Sequence, residues 1–163
     1  MQELRRTLWA LLLVAMASCA SDVAIETSYD PLAVFPSQGT FAWDEDANKI
    51  SDKLSQLGLA DLLPPAVESA LGDRGWRKTT PDTAHLLVSY HVGVSITIWA
   101  AEPGDDEHSR AMGSISVELT DPESKRRLWV GFIQAEVHPS LSQQERTARI
   151  DDAMERLFKE VPP

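Results

Sequence analysis

Few residues in this 163-residue chain are placed to do chemistry. Cys19 is the only cysteine, and it ends a short apolar run with Ala17 and Ser18 directly before it. A lone thiol cannot close an internal disulfide, so it is either modified or an ordinary buried core residue. Of the histidines, His85 and His91 fall on one side of an alternating segment, six residues apart. At strand rise that is ~20 Å, too far to share a metal. His108 stands beside Glu102, Asp105, Asp106 and Glu107. Carboxylates and an imidazole on one loop suit a cation, but the spacing lacks the alternate ligands of an EF-hand, and a solvated charge run is the simpler reading. Ser89 and His91 are two apart, which places their bases about 6–7 Å from each other, as on a wet sheet face rather than as a nucleophile and its base. No Gly-x-Ser-x-Gly elbow occurs. The expectation is no catalytic residue, no metal and no cofactor.

What surrounds Cys19 is more informative. Arg5 and Arg6 precede an apolar run over residues 8–16. Its nine residues suit a signal-peptide core and fall far below the roughly 20 needed to cross a bilayer. Met16-Ala17-Ser18-Cys19 resembles the lipobox of bacterial lipoproteins, with methionine where leucine is usual. The resemblance implies a leader over residues 1–18, cleavage before Cys19, and acylation of its thiol by palmitate-type chains. One acyl chain holds a protein only marginally, at about 0.8 kcal/mol per buried methylene, whereas two or three hold it almost permanently. Ala20, not aspartate, follows the cysteine, which in such lipoproteins implies the periplasmic face of the outer membrane, with the inner membrane as the alternative. Arg5-Arg6-Thr7-Leu8 also partly resembles a twin-arginine signal, but the serine before and the lysine after are missing.

The remaining 145 residues suit one domain with a sizeable core. The chain has 15 basic and 25 acidic side chains; without Glu3, Arg5 and Arg6 the numbers are 13 and 24, a net charge of −11. Such a surface repels nucleic acid and anionic headgroups.

Residues 23–29 alternate through Val23, Ile25, Thr27 and Tyr29, as a strand does. Residues 39–43 read as a second strand, and Ile50, Leu54 and Leu57 share a helical spacing that Gly58 weakens. Pro64 and Pro65 suit the first turn of a helix with the stripe Leu63, Ala66, Val67, Ala70, Leu71, stopped by Gly75. Residues 84–99 form the clearest strand, with Leu86, Val88, Tyr90, Val92, Val94, Ile96 and Ile98 on one face. Ile115, Val117 and Leu119 alternate in the next strand, and residues 128–137 form another. Ser142-x-x-Glu145 is a capping box opening a helix with the stripe Ile150, Ala153, Met154, Leu157, Phe158 and Val161. Its solvent side offers the i,i+4 pairs Glu145–Arg149, Asp152–Arg156 and Glu155–Lys159. The expected fold is α+β: an antiparallel sheet of about four to six strands with two main helices packed on one face.

Tyr29-Asp30-Pro31, Phe35, residues 39–43, Ala66-Val67, Leu71, Gly75-Trp76, Pro81-Asp82, residues 87–93, residues 119–122 and residues 128–131 together resemble the bacterial envelope lipoprotein family named domain of unknown function 4136. Gly39, where that family often has lysine, and Glu118, where it is more apolar, depart from the pattern. The family has no established catalytic residues, so the resemblance supplies none. A non-enzymatic, membrane-anchored envelope protein that binds another envelope protein is therefore expected. A small-molecule or glycan binder is the alternative, and a hydrolase the third class. For a partner surface, the face opposite the helices offers Leu87, His91, Val130 and Phe132, an apolar patch that is either exposed or covered by a loop.

Overall fold

The computed structural model describes residues 23–35, 38–48, 59–99 and 108–163. Cys19 and its leader, the Ile50–Leu54–Leu57 spacing, and the acidic residues 101–107 with the His108 side chain fall outside this description. The chain runs β1 (Val23–Tyr29), β2 (Gly39–Trp43), α1 (Leu59–Asp73), β3 (Trp76–Lys78), a 3-10 turn (Pro81–Thr83), β4 (Leu86–Trp99), β5 (His108–Thr120), β6 (Arg127–Glu136) and α2 (Gln143–Lys159). The strands form one six-stranded sheet in the order β1-β6-β5-β4-β2-β3.

The fold is α+β, but the sheet is mixed rather than antiparallel. β1, β6, β5 and β4 pair antiparallel, whereas β2 lies parallel to both of its neighbours, β3 and β4. The reason lies in the crossover. α1 carries the chain from the end of β2 back to its start, so β3 must run in the same direction. The residues after β3 then step across β2, where His85 N–H donates to the Thr40 carbonyl and Thr79 N–H to that of Phe41. A strand of three residues, Trp76–Lys78, is too short to leave a period of two, which is why β3 was not legible. Gly39 has a packing role here. A β-carbon on it would lie 2.8 Å from Trp76 Cζ3, so the missing side chain makes room for the paired indole.

α1 also begins five residues before Pro64, at Leu59. Pro64 and Pro65 therefore lie inside it and leave two upstream carbonyls without their usual N–H partners. Burial of Leu63, Ala66, Val67 and Leu71 offsets this, at about 1.5–3 kcal/mol for each large side chain. The helix stops as expected, at Gly75 with φ 82°. α2 begins with the capping box: Ser142 Oγ accepts from Glu145 N–H, and Glu145 Oε2 accepts from Ser142 N–H at 2.8 Å.

Both helices cover one sheet face in a single core, with Phe41, Val88, Val117, Leu119 and Trp129 from the sheet. Trp129 is fully buried and stacks on Phe158 of α2, ring centroids 5.6 Å apart. This contact depends on Gly131. A β-carbon there would overlap Trp129 Cη2 and sit 2.6 Å from Leu157 Cδ1. Arg74, just past α1, donates from Nη1 to the Phe158 carbonyl (3.0 Å) and from Nη2 to the Val161 carbonyl (2.9 Å). One side chain thus satisfies the end of α2 and ties the two helices together.

Two outcomes follow for stability. Gly131→Ala must displace Trp129 or Leu157 and should cost about 1–3 kcal/mol by denaturant melting, the usual range for overpacking. Arg74→Ala should cost about 1.5–3 kcal/mol, as expected for losing charge-assisted hydrogen bonds, and Arg74→Lys should recover only part of it because an ammonium lacks the planar fork.

Candidate functional site

The two described helices do not reach the end of the sheet. β4 has 14 residues, about 46 Å at strand rise. α2 has 17, about 26 Å at helical rise. The apolar face of β4 therefore outruns its cover. Leu86, Val88 and Tyr90 are buried, Val92 is half-buried, and Val94 and Ile96 are 42% and 68% exposed. Where the cover ends, a groove of about 270 Å³ opens between the sheet and the first half of α2. Val92, Ile115 and Ile133 are among the sheet residues that line it, with Ile150 from α2 and Val23 from the start of β1.

Two guanidiniums, Arg146 and Arg149, line the same groove from α2. Arg146 Nε is buried and has no hydrogen-bond partner. The expected Glu145–Arg149 pair does not form: among the described residues the Glu145 carboxylate bonds to Ser142, and Arg149 has no ion-pair partner. The hydrogen bonds from the Ser142 side chain and N–H hold the Glu145 carboxyl below its ordinary range. The other two expected pairs are present, Asp152–Arg156 at 3.5 Å and Glu155–Lys159 at 2.7 Å. Glu136 also lines the groove and is already engaged.

The opposite sheet face looks different. Cross-strand register places Glu26, Phe132, Ser116 and His91 side by side. Phe132 is 37% exposed and Val130 half-buried, His91 is exposed, and Leu87 is buried. Glu118 sits between Val130 and Ser89 in the register and pairs with Arg127 at 3.4 Å. The four residues Leu87, His91, Val130 and Phe132 are thus divided: Phe132 stands among polar neighbours, and Leu87 contributes no surface. His85 is structural, its Nδ1 accepting from Thr40 N–H at 3.2 Å. Among the described residues no three His, Cys, Asp or Glu side chains are placed to hold a metal. No described helix is long and apolar enough to cross a membrane.

A polar cluster at the other end of the helix layer anchors α1 to the sheet. Glu68 Oε1 accepts from Trp43 Nε1 at 2.8 Å and from Lys78 Nζ at 2.6 Å. Trp43 in turn meets Phe41 and Tyr90 edge to face. Burial pushes the Glu68 carboxyl up, but the hydrogen bonds from Lys78 and Trp43 and the Lys78 charge outweigh it, leaving the group below its ordinary value of 4.5.

The fold is that of a small α+β domain, one mixed sheet covered, among the described residues, by two helices. The domain of unknown function DUF4136 matches residues 25–163, and the chain belongs to that family. No curated protein matches it. Several solved structures share the fold, two of them as follows. A PDZ domain protein from Parabacteroides distasonis superposes with a TM-score of 0.55 at 12% identity, over 86% of this chain and 36% of its own, so this chain spans about a third of that protein. A PelC dodecamer from Paraburkholderia phytofirmans superposes with a TM-score of 0.50 at 13% identity, over 83% of this chain and 97% of its own. At such identities the likeness is one of fold.

The Glu68 cluster makes stability depend on pH with a definite sign. A carboxyl depressed by folding stabilises fully above its unfolded pKa, and that contribution is lost as pH falls through the lower folded value. Wild-type stability should fall as the pH drops below the ordinary carboxyl value of 4.5, and Glu68→Gln should lose less over that range in parallel urea melts.

Proposed function

We propose that this chain is an envelope lipoprotein, held by acyl chains on Cys19 at the periplasmic face of the outer membrane, whose domain binds rather than catalyses. The observation that carries the binding role is the apolar groove, which opens where the helix cover ends and is lined by Arg146 and Arg149, neither with an ion-pair partner among the described residues. Ligand sites are commonly concave, largely apolar and equipped with a few placed polar groups. At about 270 Å³ the groove lies just under the roughly 300 Å³ at which such sites usually begin. It takes a slender ligand or one segment of a partner.

Its position supports the same reading. Val23 lines the groove, and Cys19 lies four residues earlier, at most ~14 Å away along an extended chain. The anchor thus holds the groove close to its membrane. An envelope protein docking on Phe132 is the second reading, favoured by that ring's 37% exposure.

Two measurements test these claims. Intact mass spectrometry of the membrane form should show residues 1–18 absent and Cys19 acylated, with Cys19→Ala releasing the protein; an unmodified Cys19 rules out the anchor. The neutral dye N-phenyl-1-naphthylamine should bind the protein and brighten. Val94→Asp should weaken it at unchanged melting temperature, because Val94 is exposed at the groove end of β4, while Phe132→Glu should leave it unchanged. No dye binding, or binding indifferent to Val94→Asp, removes the groove as a site.

A further inference from the structure

Resting on the groove reading above, we propose that the ligand is a single-chain fatty carboxylate: its acyl chain lies along the apolar floor and its carboxylate meets Arg146 and Arg149. Three features carry this.

The first is the contrast between floor and rim. Val92, Ile115, Ile133 and Ile150 offer no hydrogen-bonding side chain, so the buried part of the ligand is hydrocarbon. The volume of about 270 Å³ suits one chain.

The second is the state of the two guanidiniums. A charge held against an apolar wall without a partner is costly, and burial of such groups is ordinarily accompanied by pairing. Here α2 has a carboxylate within reach in sequence, Glu145, and spends it on the Ser142 cap. Among the described residues Arg149 is left without a carboxylate, and Arg146 Nε without any acceptor. Glu136, the acidic residue lining the groove, is already engaged. An incoming anion is the group that this arrangement lacks.

The third is the shape of the head. Guanidinium forks match a planar carboxylate with two parallel hydrogen bonds. Arg146 and Arg149 are three residues apart on α2, so they occupy neighbouring positions on one helix face. The chain's overall charge of −10 makes the local excess of positive charge more selective: anions are repelled elsewhere and accepted at this rim.

The test is isothermal titration of the mature chain carrying Cys19→Ser, so that no acyl anchor or detergent competes. Decanoate, decanol, decyl phosphate and decyltrimethylammonium share one tail and differ in head. Decanoate should bind about tenfold or more tighter than decanol, the factor of at least one charge-assisted hydrogen bond, and decyltrimethylammonium more weakly than either. Arg146→Gln with Arg149→Gln should bring decanoate to the decanol value and leave decanol unchanged. Arg149→Gln alone, which uncovers no core, gives part of the same loss should the double variant fold poorly. Equal binding of decanoate and decanol overturns the carboxylate assignment but leaves the groove reading standing. Tighter binding of decyl phosphate than decanoate overturns the carboxylate in favour of a phosphate head. Binding of none of the four overturns both.

Discussion

The packing of Trp129 over Gly131 is the constraint on which the rest of this structure depends. A residue with no side chain on the core face of β6 lets the indole fold over its own strand and stack on Phe158, while Leu157 fills the space beside it. The sheet and α2 are thereby joined at one point of close contact. Interiors packed to crystal-like density do not accept even one additional carbon without displacement. The cost visible in the structure is the Trp129 Nε1–H, buried without a hydrogen-bond partner. The apolar area and ring stacking gained around it outweigh one unsatisfied donor, which is worth about 1–3 kcal/mol.

Once α2 is docked there, the position of its other end follows from length. Arg74 grips the final carbonyls of α2 from the end of α1, so the two helices terminate together at one side of the sheet. A helix rises less than half as far per residue as a strand. The long hairpin of β4 and β5 therefore extends past the helices, and its apolar face emerges at Val94 and Ile96. The groove is a consequence of that mismatch. The capping box adds its electrostatic character: Glu145 serves the helix start, so that among the described residues Arg146 and Arg149 have no carboxylate partner. A local requirement of helix initiation thus sets the charge at the groove.

The open sheet face has no such feature. Its register alternates Phe132 and Val130 with Glu26, Ser116 and Glu118, so no continuous apolar area forms across strands. Glu118 finds Arg127 as its partner on this face.

Local pattern was enough for those elements whose signal is carried by neighbours in sequence. The alternation of β1, β4 and β5, the stripe of α2, the Ser142–Glu145 box and the left-handed Gly75 all depend on interactions within a few residues, and all were legible. The resemblance of the residues around Cys19 to a lipobox and the acidic balance are likewise features of the linear sequence. Tertiary structure decided the rest, because it depends on residues far apart in the chain. The parallel pairing of β2 needs the three-residue β3, which has no period to read. The early start of α1 at Leu59 is held against two internal prolines by burial that only the sheet and α2 provide. Arg74 is an unremarkable surface cation in sequence, and its partners lie 84 and 87 residues away. The candidate site belongs to the same class. Val92, Ile115, Ile133 and Ile150 each read as ordinary core positions, and nothing in their periodicity says where the covering helix will end. That a strand face is apolar is determined by its own residues; whether that face is buried or becomes a groove is determined by the relative lengths and docking of the elements above it.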